Sequence, residues 1–458
     1  MSALPLIAHD RPAAVIAHRC GRQISAAQFL DDVRALAARM PSGAHVLNFC
    51  NDRYRFAVGL GASLVSGKCS ILPSTHTPEV IRQLHAFAPD VFCLTDDAQC
   101  PIELPQLLYV EPAMPAMHDE RQAGQFSVPQ IDSGQLAAYV FTSGSSGAPV
   151  PHAKTWGRLV QCVRSEVTRL PVADLTGGAI LGTVPAQHMY GFESTVLLPM
   201  QSSSAMCAER PFFPADIAAA LNLLPRPRIL VSTPVHLRAL VAADMALPAL
   251  ELIISATAML PANLAREVEE RYGAPLLEIY GSTETGQMAS RRTALEVHWQ
   301  LWPGVRLTCS DGHCSAHGGH VARPTALADV LEPTSAEHFL LHGRTADLVN
   351  IAGKRSSLAY LNHQLNAIPG VIDAAFFVRD DSEASLAGVT RLAALVVAPR
   401  LDASAIIRAL RLRIDPVFLP RPLLMVERLP RNATGKLPQH TLRALTAQAA
   451  IQQPHLFA

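Results

Sequence analysis

A run of glycines and small hydroxyl residues is the first segment of the chain that could do chemistry. It reads Phe141-Thr-Ser-Gly-Ser-Ser-Gly-Ala-Pro149 and directly follows the strand-like sequence QLAAYV. Glycines let backbone N–H groups converge on an anion, and hydroxyls add further donors. A flexible linker is the alternative, but the basic and aromatic residues His152, Lys154 and Trp156 on its far side argue against it. The run is not a Walker A loop, because no Gly-Lys-Ser/Thr sequence follows.

A second segment, LLEIYGSTETGQ at 276–287, again places Gly, Ser and Thr after a strand. Here Tyr280 precedes them and Glu284 lies among them. The ring can stack on a purine, the hydroxyls can bind phosphate, and the carboxylate can hold Mg²⁺ against it. Taken alone, a hydrogen-bonded turn with a solvated glutamate explains this segment better, so its interpretation depends on the other motifs.

Two further motifs follow, HGRTADLVNIAGKR at 342–355 and LPRNATGK at 429–436. In this order and at these separations, the four segments resemble the adenylate-forming superfamily, which includes acyl- and aryl-CoA ligases, peptide-synthetase adenylation domains and luciferases. The segments at 58–73 and 184–199 resemble the family as well. The resemblance therefore extends over nearly the whole chain.

The resemblance implies a site for ATP and Mg²⁺. The loop at 142–147 would close over the β- and γ-phosphates, and Tyr280 would stack on adenine beside the turn at 255–258. Thr283 would contact the α-phosphate, and Glu284 would bind Mg²⁺. The implied ATP-binding residues are Thr142, Ser143, Gly144, Ser145, Ser146, Gly147, Lys154, Ala256, Thr257, Tyr280, Gly281, Ser282, Thr283, Asp329 and Arg344.

Two of the implied residues have a simpler alternative interpretation. Asp329 resembles the family's ribose-binding aspartate, but the usual Thr-Gly before it is replaced by Leu327-Ala328, and a surface aspartate is the alternative. Lys436 resembles the catalytic lysine of the C-terminal domain. A solvated lysine is the alternative there, although the motif Pro-Arg-x-x-x-Gly-Lys is specific.

The chain departs from the family's pattern at the phosphate loop and at the hinge. Where the family usually has lysine directly after the loop, this chain has Val150, and the nearest lysine is Lys154. The hinge position two residues after Arg344, usually Asp or Lys, is Ala346. The sequence therefore leaves open which cation contacts the phosphates.

The implied catalysis has two half-reactions, with Lys436, Glu284 and Gly353 as its catalytic residues. A substrate carboxylate attacks the α-phosphorus of ATP and gives an acyl-adenylate and pyrophosphate, while positioning and charge stabilisation supply the rate. The C-terminal domain then swings about Ala346 and brings Gly353 to the site. Gly353 would leave room for a pantetheine thiol to attack the adenylate.

The acid is inferred from the region around 187–193. Amino-acid-activating relatives place an aspartate here, whereas this chain has no carboxylate before Glu193, so an amino acid is disfavoured. His188, Tyr190 and Phe192, with Gly281, suggest a pocket for a flat aromatic or acyl group, although such residues are as often core.

The compact length and the His-x-Lys-x-Trp sequence at 152–156 are similar to ligases that load hydroxybenzoate onto an acyl carrier protein in xanthomonadin and aryl-polyene pigment biosynthesis. The expected substrate is therefore a 3-hydroxybenzoate-type acid, and the acceptor a carrier protein. An aryl- or medium-chain acyl-CoA ligase is the alternative. A family member that binds nucleotide or an acyl group without catalysis is a rival from another class, favoured by the unusual residues at 150 and 346 and opposed by the intact motifs.

The elements that must position these residues show α/β alternation. Ser25-Ala-Ala-Gln28 is a capping box before a helix, and LELIISA at 250–256 predicts a strand, followed by a helix that ends at Gly273. VRLTCSDGHCSA at 305–316 predicts a hairpin in a small β-module. We predict an α/β fold with an adenylation domain at 1–345, built of mixed α/β layers and the β-module, and a smaller mobile α+β domain at 346–458.

Composition restricts the class of protein further. In 458 residues, 38 Lys and Arg balance 38 Asp and Glu, which removes the electrostatic argument for nucleic acid or an anionic membrane surface. No apolar run approaches the roughly 18 residues of a membrane span. The start has no basic n-region and carries His9 and Asp10 where a signal peptide would be apolar, so a cytoplasmic enzyme is expected.

Cysteine usage agrees with a reducing compartment. The nine cysteines form no C-x-x-C pair and are expected to be free thiols. The cluster of Cys309, His313, Cys314, His317 and His320 invites a zinc interpretation. A β-module with incidental histidines is the favoured alternative, because residues on a hairpin alternate faces.

Overall fold

The computed structural model describes residues 2–73, 75–111, 126–143, 149–172, 175–310, 313–344, 348–351, 354–378, 392–429, 431, 437, 441–442 and 444–445. Within these ranges, two large sheets carry most of the chain before residue 345. A small β-module and a separate group of strands and helices complete the fold.

The first large sheet has six strands and is mainly parallel. Strands covered on both faces favour apolar side chains, and the strand predicted at 46–50 is found at His45–Asn48, where Val46 and Leu47 are buried. In spatial order the strands are β10 (Pro149–Thr155), β9 (Leu136–Ser143), β5 (Cys69–Leu72), β4 (His45–Asn48), β6 (Phe92–Thr95) and β7 (Gln106–Leu108). Strands β9 and β10 form an antiparallel pair at one edge.

The second large sheet has eleven strands, of which the central ones are parallel and the outer ones antiparallel. Its strands in spatial order are β21 (Asp329–Pro333), β22 (His338–Arg344), β17 (Trp299–Leu301), β16 (Gly286–Arg291), β15 (Leu276–Ser282), β14 (Leu252–Ser255), β13 (Arg228–Ser232), β11 (Ala179–Gly182), β12 (Ala205–Cys207), β2 (Val15–Arg19) and β3 (Arg22–Ser25). A two-stranded sheet pairs β1 (Ala3–Pro5) with β8 (Gln130–Asp132).

Helix α2 (Arg53–Val65) joins the two sheets. It packs against β4 and β5 of the first sheet and β12 of the second, and it is buried along nearly its whole length, as expected for a helix that is apolar on most sides. Asp52 caps its start, because the Asp52 carboxylate accepts a hydrogen bond from the Arg55 backbone N–H at 3.0 Å. The core therefore runs continuously from one sheet to the other.

The remaining helices cover the outer faces and connect the strands. They are α1 (Ala26–Ala37), α3 (Pro78–Phe87), α4 (Trp156–Val167), α5 (Met189–Gly191), α6 (Leu198–Ser202), α7 (Pro214–Asn222), α8 (Pro234–Ala242), α9 (Ala262–Tyr272), α10 (Leu358–Asn366) and α11 (Ala403–Arg411). A π-helical segment at Phe192–Leu197 connects α5 to α6, and a 3₁₀ turn covers Pro416–Phe418. The predicted ends are confirmed at α1, where Ser25 Oγ accepts the Gln28 N–H at 3.2 Å, and at α9, where Gly273 follows with φ 65°.

The predicted β-module consists of β18 (Arg306–Ser310), β19 (His313–Gly318) and β20 (Val321–Ala326). Its register sets Cys309 directly opposite Cys314, and the two form a disulfide. The expectation that all nine cysteines are free was wrong for this pair, because the antiparallel register brings them together; the other seven are free. Among the described residues, no group of three or more His, Cys, Asp and Glu side chains could hold a metal ion, which leaves the zinc interpretation without support.

The strands and helices after residue 348 have a core of their own. One sheet there contains β25 (Asp373–Val378), β26 (Leu392–Val397) and β27 (Leu423–Met425), and β23 (Leu348–Ile351) pairs with β24 (Lys354–Ser357). Arg238 of α8 lies 3.4 Å from the Asp373 carboxylate, which Arg431 also contacts at 2.8 Å. Of the helix predicted near 438–449, only 441–442 and 444–445 lie within the described residues, and these are helical.

Across the described parts of the chain, we find no helix that combines the length and the apolar character needed to cross a membrane.

Candidate active site

The hairpin between β15 and β16 ends in a turn that leaves one carboxylate exposed. The register pairs Ser282 with Gly286, so that Thr283, Glu284 and Thr285 form the loop. Ser282 and Thr285 brace it: the Ser282 N–H donates to Thr285 Oγ1, and the Thr285 N–H donates to Ser282 Oγ, both at 3.3 Å. The Glu284 side chain is 39% exposed. The segment is thus a hydrogen-bonded turn that also presents a carboxylate to a ligand.

Strand β10 links this turn to the start of the glycine-rich loop. Val150, His152 and Lys154 alternate along the strand and therefore lie on one face of it. His152 Nε2 lies 2.9 Å from Thr142 Oγ1 and 3.7 Å from Glu284 Oε1. Burial lowers the pKa of His152, although Glu284 acts in the opposite direction. His152 was not predicted as a site residue.

Lys154 contacts the same turn from the protein interior. This lysine is 8% exposed, and its Nζ donates to the Glu284 backbone carbonyl at 3.1 Å. Burial lowers the pKa of Lys154, and the nearby Glu193 and Glu284 carboxylates oppose that effect. Val150, at the position where the family has lysine, is exposed. The structure therefore brings Lys154, the nearest lysine after the loop, to the Glu284 turn.

The residues implied for adenine and ribose are in direct contact. The Tyr280 hydroxyl donates to Asp329 Oδ2 at 2.7 Å. The Tyr280 ring is buried against Trp299 and Phe339, with centroid distances of 5.6 and 5.5 Å. Strand pairing sets Asp329 opposite Arg344. Asp329 is therefore hydrogen-bonded to Tyr280 and is not an isolated surface residue.

The carboxyl ends of β13, β14 and β15 meet at one edge of the second sheet, where open α/β sheets bind ligands. Ala256 is buried directly after β14. Thr257 follows with φ 78°, in the left-handed region. A non-glycine residue there costs roughly 1–3 kcal/mol, and such positions cluster at functional sites.

The three side chains predicted for the acid pocket differ in burial and in contacts in the structure. Phe192 is fully buried, edge-to-face against another phenylalanine, so it belongs to the core and not to a pocket wall. Tyr190 is half-buried, and its hydroxyl donates to the carbonyls of Ser232 and Ile254, at 3.1 and 3.2 Å, at the ends of β13 and β14. His188 precedes α5 and is also half-buried. Of the residues predicted for the pocket, Tyr190, His188 and the exposed Gly281 therefore stay candidates for contact with an acid.

Several implied residues lie outside the part of the chain that the structure describes. They are Gly144, Ser145, Ser146, Gly147, Ala346, Gly353 and Lys436. For Ser143 and Arg344, only the strand position is described.

Two buried carboxylates behind the Glu284 turn were not predicted as functional residues. Burial raises the pKa of Glu166 to about 8 and that of Glu193 to about 7. Glu166 Oε1 accepts from the Ser194 hydroxyl at 3.1 Å, and Glu193 Oε1 accepts from the Cys162 thiol at 3.2 Å. A sequence signal exists for Glu166, which falls on the apolar stripe of α4.

Comparison with known proteins gives three findings. Residues 7–311 match the AMP-binding enzyme family. The 4-coumarate–CoA ligase of Rhodobacter capsulatus is 30% identical over 264 residues, which are 58% of this chain and 66% of that enzyme, just under two thirds of its length. The 3-hydroxybenzoate–CoA/4-hydroxybenzoate–CoA ligase of Thauera aromatica is 23% identical over 366 residues, 70% of this chain and 68% of that enzyme.

The fold also matches a solved structure. ATP-bound MatB from Rhodopseudomonas palustris superposes with a TM-score of 0.77 at 18% identity, over 95% of this chain and 96% of that chain. The predicted α/β fold is confirmed.

Proposed function

The chain belongs to the AMP-binding enzyme family, and we propose that it uses ATP to adenylate a hydroxybenzoate-type aryl acid and then transfers the acyl group to a pantetheine thiol. The observation that carries the proposal is the convergence of Thr142, His152 and Lys154 on the Glu284 turn. Hydroxyl, imidazole, ammonium and carboxylate groups from three separate segments meet where the sequence motifs imply the phosphates of ATP.

The residues present fit Mg²⁺. This ion is usually held by one or two carboxylates together with substrate phosphates and waters, so the single exposed Glu284 carboxylate is sufficient on the protein side. When bound, Mg²⁺ would neutralise phosphate charge during the transfer.

In the first half-reaction, the acid's carboxylate attacks the α-phosphorus of ATP and pyrophosphate leaves. Tyr280 and Asp329 would hold the nucleoside, and Thr283 would donate to the α-phosphate. Lys436, which lies outside the described residues, would stabilise the charge that develops there. The protein mainly positions and stabilises charge, since phosphoryl-type transfer needs little covalent help.

The second half-reaction would use a different arrangement of two domains, at 1–345 and 346–458. Rotation about Ala346 would bring Gly353 to the adenylate carbonyl, where the absence of a side chain admits the thiol. The thiol sulfur forms the new bond to the acyl carbon, and AMP leaves.

Two observations support an aryl acid over an amino acid. Glu193, the first carboxylate after 187, is 1% exposed, so it is not placed to hold a substrate ammonium. The relatives from Rhodobacter capsulatus and Thauera aromatica are named for aryl acids. Both are also named as CoA ligases, which favours coenzyme A as the alternative acceptor to a carrier protein.

The test is thioester formation from ATP and 3-hydroxybenzoate, with holo acyl carrier protein and coenzyme A offered in separate reactions. The account expects an acyl thioester on one acceptor with stoichiometric AMP, and none with the Lys436→Ala variant. Thioester formed equally well by Lys436→Ala would contradict the proposed mechanism. Thioester formation with coenzyme A, and none with the carrier protein, would identify coenzyme A as the acceptor.

A further inference from the structure

We propose that Arg238 of α8 is a positioning residue that stabilises the adenylate-forming arrangement of the two proposed domains through its ion pair with Asp373. This role rests on the proposed function and adds to it a contact that none of the family motifs supplies. The contact joins the two sides of the boundary proposed at 345, since Arg238 precedes that boundary and Asp373 follows it.

Asp373 holds the segment that leads to the proposed catalytic lysine. The Arg431 side chain donates to it twice, from Nε to Oδ2 and from Nη2 to Oδ1, both at 2.8 Å. A bidentate pair of this kind fixes the orientation of both side chains as well as their distance. Because Arg431 lies five residues before Lys436 in the motif Pro-Arg-x-x-x-Gly-Lys, Asp373 fixes one end of the segment that carries the lysine.

Arg238 contacts the same carboxylate from the proposed adenylation domain. Its Nη1 lies 3.4 Å from Asp373 Oδ1. Helix α8 follows β13 with only Thr233 between them, and the carboxyl end of β13 lies at the edge where a sheet of this kind binds ligands. The ion pair therefore joins the segment before Lys436 to the part of the fold that carries the proposed site.

Rotation about Ala346 would affect the two ion pairs of Asp373 differently. Arg431 and Asp373 both belong to the proposed C-terminal domain and would move together. Arg238 belongs to the proposed adenylation domain, so the rotation would separate it from Asp373. Asp373 is the one carboxylate within ion-pair distance of Arg238 among the described residues. A contact that exists in only one of two arrangements shifts the equilibrium toward that arrangement.

Partial burial makes this ion pair strong enough to affect the equilibrium. The side chains of Arg238 and Asp373 are 23% and 13% exposed. Water and salt screen fully exposed charge pairs, whereas partly buried pairs are screened much less. Loss of one such pair should change the population of the adenylate-forming arrangement by about fivefold.

The experiment measures both half-reactions on each preparation of the full chain. ATP–pyrophosphate exchange with 3-hydroxybenzoate measures the first. Transfer from synthetic 3-hydroxybenzoyl-AMP to coenzyme A and to holo acyl carrier protein, in separate reactions, measures the second. The variants are Arg238→Gln, Arg238→Lys, Asp373→Asn and the double variant Arg238→Gln/Asp373→Asn. Because a folding defect lowers both rates by the same factor, the ratio of exchange to transfer isolates the effect on the arrangement.

We expect Arg238→Gln to lower exchange by about fivefold, while transfer stays within about twofold of wild type. Arg238→Lys keeps the charge and should retain more exchange than Arg238→Gln. Asp373→Asn should lower exchange at least as much as Arg238→Gln, because it also removes the charge that holds Arg431. Addition of Arg238→Gln to Asp373→Asn should lower exchange by less than about twofold further, because the interaction between the two residues is already lost.

Arg271→Gln is the matched control. Arg271 also pairs with one carboxylate, that of Asp244, and its side chain is 31% exposed, but both residues precede the proposed boundary. Rotation of the domains would leave this pair intact, so exchange and transfer should both stay within about twofold of wild type. Circular dichroism on each variant verifies the fold.

Exchange by Arg238→Gln within about twofold of wild type would overturn the role of Arg238 and leave the proposed function standing. Loss of exchange and transfer by the same factor in Arg238→Gln would overturn that role as well. Absence of both activities in the wild-type protein would overturn the proposed function and this inference together.

Discussion

At the residue scale, the first lysine after the glycine-rich loop lies further along the chain than in the family's pattern. The lysine expected directly after the glycine-rich loop is absent, and Val150 is exposed in its place. Lys154, four residues further along β10, lies on the same face and reaches the Glu284 carbonyl at 3.1 Å. The lysine is therefore four residues later in the sequence than in the family's pattern, and its ammonium group contacts the Glu284 turn.

Glu284→Gln should raise the Mg²⁺ concentration needed for half-maximal activity by roughly tenfold, because the amide keeps the shape but loses the charge that a hard cation prefers. A Mg²⁺ titration of ATP–pyrophosphate exchange measures this, with the thermal unfolding temperature as the control for folding. An unchanged titration would mean that Glu284 is only a turn residue.

Glu166→Gln should make the free energy of unfolding less dependent on pH. Burial raises the pKa of Glu166 from 4.5 to about 8 in the folded state, so between these values the folded protein holds a proton that the unfolded chain releases. The wild type therefore loses stability as the pH rises through this window. Glutamine removes the effect. The difference in free energy of unfolding between the variant and the wild type should therefore shift in favour of the variant by on the order of 2–4 kcal/mol from pH 5.5 to pH 8.5.

Urea denaturation of both proteins at the two pH values measures the difference. A stability difference that stays constant with pH would contradict a raised pKa at Glu166.

At the element scale, the hairpin of β15 and β16 is the part of the fold on which the site depends most. Gly286→Ala should destabilise the protein by roughly 1–3 kcal/mol, because alanine is strained at positive φ. Its Cβ would also lie 2.8 Å from Glu193 Oε1, so the turn should shift and the Mg²⁺ requirement should rise.

Gly273→Ala is the matched control for that change. Gly273 has φ 65°, and a Cβ atom there meets nothing within 4 Å. We expect a loss of about 1 kcal/mol with no change in the Mg²⁺ titration. Equal effects of the two variants on Mg²⁺ would mean that backbone strain alone, and not contact with Glu193, explains Gly286→Ala.

The sequence predicts elements well where local patterns decide them. Helix α1 begins after its capping serine, α9 ends at Gly273, and the apolar run at 250–256 contains β14. These features depend on side-chain period and on caps, which neighbouring residues specify.

Features that depend on register or on long-range packing were missed or left open. The Cys309–Cys314 disulfide requires knowledge of which residues face each other across the hairpin. The burial of Phe192 in the core and of Glu193 behind the turn requires the packing of residues distant in sequence. The sequence could likewise name Tyr280 and Asp329 separately, but not their hydrogen bond.

At the scale of the whole molecule, the proposed mechanism requires that the domains at 1–345 and 346–458 serve different half-reactions. Ala346→Pro should block thioester formation while ATP–pyrophosphate exchange survives, provided that the fixed geometry is the adenylating one. Proline holds φ near −65° and restricts Thr345 before it, so the chain could no longer rotate there.

Both activities are measured on one preparation that is folded by circular dichroism. Equal loss of both activities would mean that Ala346 does not act specifically in thioester formation. Thioester formation by Ala346→Pro at the wild-type rate would mean that rotation at Ala346 is not needed for the reaction.

The central claim is that this protein makes an acyl-adenylate, and ATP–pyrophosphate exchange over a panel of acids tests it most directly. The panel should include 3- and 4-hydroxybenzoate, coumarate, medium-chain fatty acids and amino acids, with Lys436→Ala as the inactive control. The account predicts ATP-dependent exchange with a hydroxybenzoate-type acid, little exchange with amino acids, and loss of about 10²–10³ in rate in the variant. Exchange with none of these acids, by a protein that still binds MgATP, would contradict the claim and favour a family member that binds nucleotide without catalysis.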